Sequence, residues 1–351
     1  MNRVTTTLAL APGTLLRRAS ALRADLVADA ARVEREGVSR KDTAVLAAAG
    51  LYALYAPEEL GGAPVAEQRE VAELLAGASP DLWFVWYQHG PVLKMVASTQ
   101  NAELRERYLS GLASGELQGG VSYSHLRTPK PSIFAERDGD GFVLSGTQPW
   151  CTGWGVNDVI LVGAVVRDTD EVVFGIIPHG DRPGLRSSGE LGLAAMGGTA
   201  THALSYQGLR LEALDVVNLL PYQAFFGVDA SANTNVQPST FGIALAALDL
   251  LEERAPETAQ VLRRRVLDVR ERAYALIDEA PFGERNDERL ELRAQALVLG
   301  IESTTALLAA RGGQGMDLGD PAQRLLRAAA FQVVHSQAAA IKAATLAALV
   351  A

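Results

Sequence analysis

A single cysteine, Cys151, in 351 residues rules out an internal disulfide and suits a reducing compartment. Basic residues are outnumbered, 32 Lys and Arg against 41 Asp and Glu for a net charge of −9. They are also scattered, which argues against nucleic acid as the main partner. Residues 1–12 are too polar and too brief for a signal peptide or a membrane span, so a soluble, cytoplasmic protein is expected, with no membrane partner. No internal repeat, low-complexity tract or metal-ligand cluster is evident. What is present is ample apolar material, 48% of the residues, on a chain long enough for two or three packed units.

The apolar pattern changes twice along the chain. Helical spacing predicts helices over 14–36, 41–49 with Ser39 as N-cap, 66–76, 80–97 and 101–114. From Gly119-Gly120 the texture becomes β-branched and aromatic. Short strands are predicted over 121–124, 142–147, 159–166, 171–178 and 203–209, a compact β unit that suggests a small barrel. After Asn233 long Ala- and Leu-rich helices return over 239–253, 257–278, 287–310 and 321–350, the lengths of a four-helix bundle. The expected fold is therefore α+β and multidomain: a helical unit at 1–118, a β unit at 119–232 and a bundle at 233–351.

One stretch looks built to hold a ligand. In Gly146-Thr147-Gln148-Pro149-Trp150-Cys151-Thr152-Gly153, strand alternation points Trp150 and Thr152 one way and Cys151 the other. An indole beside a hydroxyl on a rigid sheet offers stacking area and an oriented hydrogen bond, which suits a flat polar heteroaromatic ring such as a flavin. The same two residues also fit ordinary sheet core.

The order helical, β, helical resembles the acyl-CoA dehydrogenase superfamily, and several stretches match in sequence. Pro57-Glu58-Glu59-Leu60-Gly61-Gly62 is similar to the family's loop after its early helices. Arg107-Tyr108-Leu109 with Ser114-Gly115-Glu116 resembles its lead-in to the first strand. Gly312-Gly313-Gln314-Gly315 followed by Arg324-Leu325-Leu326-Arg327 resembles its glycine turn and the helix after it. The resemblance implies a flavin, FAD or FMN, with Trp150 packing on the ring, Thr152 bonding near N5, Ser122 touching the ring, and Cys151, Gly312 and Gly313 at the cofactor site. It also implies a small organic or carrier-tethered acyl substrate, a flavin reductase or electron acceptor as partner, and a homodimer or homotetramer.

The chain departs from the family where the chemistry is done. Dehydrogenation of an acyl thioester needs a positioned carboxylate to take a weakly acidic proton. Nine residues after Arg327, where many members carry that glutamate, stands Ser336, and Asp229 is the nearest carboxylate to the family's alternative position. Elements for the adenine half of FAD are also missing, with Ala309 at a glutamine position and Ala255-Pro256 in place of an arginine motif. These losses resemble the two-component flavin monooxygenases of the same fold, to which His335 and Lys342 are similar. In that reading His335 gives or accepts a proton near neutrality, with Ser336 beside it. His335 as a satisfied helix residue is the other reading. His89, after the aromatic run Trp83, Trp86 and Tyr87, is a further catalytic candidate, and His125 with Arg127 a candidate phosphate site. Met95 and Met196 read as core. A flavin-free enzyme, or an inactive subunit of a hetero-oligomer, is the alternative from another class.

Overall fold

The computed structural model describes residues 13–128 and 130–350. The stretch 1–12, expected to hold no signal peptide, and Pro129 lie outside the described residues. The first helices are α1 (Thr14–Glu36), α2 (Arg40–Ala48), α3 (Val65–Ala78), α4 (Pro80–Tyr87), α5 (His89–Ser98) and α6 (Ala102–Ser114). Ser39 opens α2 in a reciprocal capping box with Asp42. The single helix expected over 80–97 is two. Pro91, the third residue of α5, has no N–H for the carbonyl of Tyr87 four residues back, and the chain turns between them at Gln88.

Strands β1 (Gly119–Ser122), β2 (Ile133–Asp138), β3 (Gly141–Cys151), β4 (Val159–Val166), β5 (Glu171–Pro178), β6 (Leu185–Glu190), β7 (His202–Leu211) and β8 (Val216–Pro221) form one sheet. Its order is β6-β7-β3-β2-β4-β5-β8, with β1 beside β4, and most of its pairs are antiparallel. The central strands are buried on both faces. Leu161 of β4 and Phe174 of β5 pack toward α5 and α6, while Ile160, Val162 and Val173 join a cluster whose buried members all lie on strands, so the sheet curls around its own apolar side. The edge strands β6 and β8 and β2, apolar in its first half and charged in its second, carry too little apolar alternation to be read from the sequence.

Helix α7 (Tyr222–Thr234), also not expected, leads into α8 (Pro238–Glu252), α9 (Pro256–Glu279), α10 (Asn286–Arg311), α11 (Pro321–Val334) and α12 (Ala339–Ala348). Helices α8 to α11 pack around one another and share a single apolar core with α1, α3 and α4. Where α3 crosses α8, a Cβ on Gly242 would stand 2.0 Å from the carbonyl oxygen of Glu73, so only glycine allows that approach. Among the described residues, no helix is long and apolar enough to cross a membrane.

The long last helix expected over 321–350 is broken, and His335 stands at the break rather than on a helix. The backbone turns at Ser336, whose φ of 51° is left-handed, before α12 begins. The sequence carries no helix breaker there. The turn is fixed from outside, by Arg293 of α10, whose Nη2 donates to the carbonyl of His335 at 3.0 Å.

Candidate functional site

A cavity of about 730 Å³ lies where the early helices, the sheet and the α11–α12 break meet, within the usual size for a cofactor or drug-sized ligand. Phe84, Tyr87 and Pro91 form one wall, Phe331, Val334, His335 and Ser336 a second, and Tyr123, Trp150 and Thr152 a third. The chain at Leu193 to Met196, with Thr201, closes the remaining side. None of the described lining residues is Asp or Glu.

The end of β3 sets the third wall. The register with β7 slips between Gln148 and Cys151, a bulge that turns Trp150 out so that 52% of it is exposed to the cavity mouth. Gln148 fixes the bulge from below, donating to the Trp150 carbonyl and to Ser124 Oγ, each at 2.8 Å. Gly153, at φ 79°, turns the chain straight after Thr152. Thr152 Oγ1 is 3.0 Å from Thr201 Oγ1, which is 2.8 Å from Thr199 Oγ1, and Thr199 donates to the Met196 carbonyl at 2.7 Å.

His335 is ringed by aromatics. Phe331 stacks on it at 5.1 Å, and Phe84, Tyr87 and Trp83 meet it edge-on at 5.1, 6.0 and 6.4 Å. Its buried Nδ1 has no hydrogen-bond partner among the described residues. Burial, with the cations Arg293 and Arg127 nearby, pushes the imidazole down to about 3. It is therefore neutral at physiological pH, which corrects the expectation of an acid or base titrating near neutrality.

The other sequence candidates divide sharply. Trp150, Thr152, His335 and Ser336 come together around the cavity. Ser122 does not, because alternation along β1 sends Val121 to the cavity wall and turns the Ser122 hydroxyl inward, 2.6 Å from Tyr206 Oη. Cys151 faces the sheet core, where burial pushes its thiol up to about 12, outside the cavity lining. His89 is buried between α5 and β1, accepts from the Gly119 N–H at 3.1 Å and packs edge-on to Tyr52. Burial holds it down to about 3, the Leu112 carbonyl acting the other way. Gly312 and Gly313 form an exposed turn after α10, away from the cavity, and Lys342 is exposed on α12.

His125 has a structural post in place of the phosphate role. Strands β1 and β2 share one edge of β4 and leave Gly163, which pairs with Phe174 of β5 on its other side, without a strand partner on that edge. His125 Nε2 donates to the Gly163 carbonyl at 2.8 Å while Nδ1 accepts from Ser132 N at 3.1 Å, so the neutral ring bridges the gap. Burial pushes it down to about 4. Arg127, which also lines the cavity, is held by Asp229 through two 2.8 Å bonds, so both groups are engaged with each other.

Sequence reasoning missed Thr201, Tyr123 and Arg293, and it gave Met196 a core role alone, although Met196 both packs in the core and lines the cavity. Two of these had a signal. Thr199 and Thr201 are two hydroxyls two residues apart just before β7, and Arg289 and Arg293 lie four apart on the α10 face that also carries Ala296, Leu297 and Gly300.

Residues 16–116 match the family described as the acyl-CoA dehydrogenase N-terminal domain. A dibenzothiophene monooxygenase of Rhodococcus qingshengii is 26% identical over 215 residues, 57% of this chain and 48% of that protein. The chain thus spans about half the length of the curated relatives it matches. Among solved structures, butyryl-CoA dehydrogenase from Megasphaera elsdenii superposes with a TM-score of 0.77 at 17% identity, covering 100% of both chains. A dibenzothiophene monooxygenase from Paenibacillus sp. A11-2 gives 0.75 at 19% identity, over 94% of this chain and 95% of that one. These likenesses carry the whole fold.

Proposed function

We propose, from the chain's membership of the acyl-CoA dehydrogenase superfamily, that it is a flavin-dependent monooxygenase using reduced FMN or FAD delivered by a separate reductase. The observation that carries this reading is the absence of any carboxylate among the described residues lining the cavity. Without one, the cavity has no positioned carboxylate to take an α-proton from an acyl thioester. The site residues fit the ring of a flavin: Trp150 offers an exposed indole face, Thr152 a hydroxyl beside it, and the cavity the volume for the ring and a small substrate. When bound, a reduced flavin supplies the electrons that activate oxygen. The chain's part is to stack and orient the ring through Trp150 and Thr152, to exclude water with Phe84, Tyr87 and Phe331, and to present the His335 imidazole. That imidazole works as a neutral hydrogen-bonding group next to the reacting atoms, with Ser336 at its side. The apolar, aromatic walls suit a fused heteroaromatic substrate better than a charged one. A homodimer or homotetramer in the cytoplasm completes the reading, with the exposed Gly312-Gly313 turn available to the flavin of a second copy.

The test is a coupled assay in air with NADH, a flavin reductase and FMN or FAD, offering dibenzothiophene and indole. Products labelled from ¹⁸O₂ support oxygenation. Flavin-dependent oxidation of an acyl thioester by an electron acceptor, with no oxygen incorporated, would instead favour a dehydrogenase.

A further inference from the structure

The Thr152 hydroxyl in the cavity wall has its hydrogen-bonding direction fixed by a chain of contacts that begins at Thr199, outside the cavity. Thr199 Oγ1 lies 2.7 Å from the Met196 carbonyl, which can only accept, so the single hydroxyl hydrogen of Thr199 is committed there. In its 2.8 Å contact with Thr201, Thr199 must therefore accept, and the Thr201 hydrogen is committed in turn. The 3.0 Å contact between Thr201 and Thr152 then takes the hydrogen of Thr152. What Thr152 has left for a ligand is a lone pair.

The start of this relay is held rigidly. Met196 and Ala200 flank the turn with left-handed φ values of 57° and 46°, a strained pair that persists only where surrounding bonds over-determine it. Asp81 Oδ1 accepts from Gly198 N at 2.8 Å, and the Gly198 carbonyl accepts from Val38 N at 2.7 Å. The carbonyls of Thr199 and Ala200 each accept, at 2.9 Å, from Gly153 and Trp154 in the turn that follows Thr152. The relay and the residue it governs are thus parts of one clamped unit.

We infer that Thr199, acting through Thr201, makes Thr152 an obligate acceptor and so selects the reduced form of the flavin ring over the oxidised form. The inference rests on the proposed flavin reading, with Thr152 at the N5 edge. Reduction places a hydrogen on N5, which Thr152 accepts. Oxidised N5 is itself an acceptor, and to meet it the relay must reverse, leaving the Met196 carbonyl without its Thr199 partner. One net hydrogen bond separates the two states, a preference of about five- to tenfold. Thr199 is a positioning residue, since it does not line the cavity.

The test is an anaerobic titration of the full chain with oxidised and with dithionite-reduced FMN and FAD, read as the ratio of the two Kd values. Thr199→Val frees the hydrogen of Thr201, so the oxidised-to-reduced ratio should fall about five- to tenfold, while Thr199→Ser should keep the wild-type ratio. Thr201→Val releases Thr152 by a different cut and should lower the ratio likewise, which keeps the test open if one variant folds poorly. A general loosening of the site would weaken both redox forms alike and leave the ratio in place. An unchanged ratio in both valine variants, with flavin still bound, overturns the relay. If the wild type binds neither redox form, the flavin reading itself fails and this inference goes with it.

Discussion

Arg293 Nη2 donates to the backbone carbonyl of His335 at 3.0 Å, and this bond connects the broken helix to the position of the imidazole. The same guanidinium bonds the carbonyls of Asn233 and Asn235, at the chain's passage from α7 to α8, and no carboxylate pairs with it among the described residues. Burial lowers it to about 10, still cationic at neutral pH, and its charge helps keep His335 neutral. One buried cation thus sets both the backbone and the electrostatics of the second cavity wall.

Removing that cation should cost stability at a definite place. Arg293→Met leaves up to three carbonyls short of a donor, and a loss of about 2–3 kcal/mol is expected in denaturant titrations. Arg293→Lys, with one donor group where the guanidinium had a fork, should recover part of it. An unchanged midpoint in Arg293→Met would show that the helix break stands without this bond.

Ser122 gives a test in the opposite direction. Its hydroxyl is paired with Tyr206 inside the sheet, so Ser122→Ala should lower stability by about 1 kcal/mol and leave flavin affinity alone. A drop in flavin affinity with no change in stability would put the hydroxyl back at the ring.

The buried histidines predict an acid response. Unfolded, each titrates near about 6.5. Folded, His125 is held down to about 4 and His89 and His335 to about 3. Between those values the unfolded chain binds more protons than the folded one, so stability rises with pH, is fully present above the unfolded value and is lost as pH falls toward the folded one. Each neutral histidine contributes a slope of up to about 1.4 kcal/mol per pH unit. Denaturation midpoints measured from about pH 7 down to about pH 4 should fall accordingly, and His125→Gln should flatten the slope by about one proton. A slope unaffected by that change would mean that His125 titrates alike in both states.

His335→Phe keeps an aromatic ring in its cage and removes both nitrogens. Turnover should drop about a hundredfold or more if the imidazole hydrogen-bonds a reacting atom. The wild-type pH profile should show no step from this residue between about pH 5 and 8, since the ring is neutral throughout. Full activity in His335→Phe would remove it from the mechanism.

Much of the fold was legible because local pattern and tertiary structure agree. The helix read at 14–36 is α1, the strands read at 159–166 and 171–178 are β4 and β5, and Ser39 caps as its position suggested. The misses are places where a distant partner decides. Arg293 breaks a helix whose own residues would continue it, and β6, rich in serine and charge, is a strand because β7 pairs with it. At the site, Trp150 and Thr152 were visible through strand alternation. The same alternation, counted along β1, would have turned Ser122 away from the cavity, but the strand's face assignment needs the helices that cover it. The histidines misled for a simpler reason: an unperturbed pKa is a property of an exposed ring, and burial is not written in a single residue.

The central claim is that Trp150 and Thr152 seat a flavin, and a spectroscopic titration of the purified chain with FMN and FAD, oxidised and reduced, tests it directly. The account predicts saturable binding with a shifted flavin spectrum, weakened about tenfold by Trp150→Ala through loss of the stacking face and also weakened by Thr152→Val. If no form of either flavin binds, or if both substitutions leave binding unchanged, Trp150 and Thr152 do not seat a flavin.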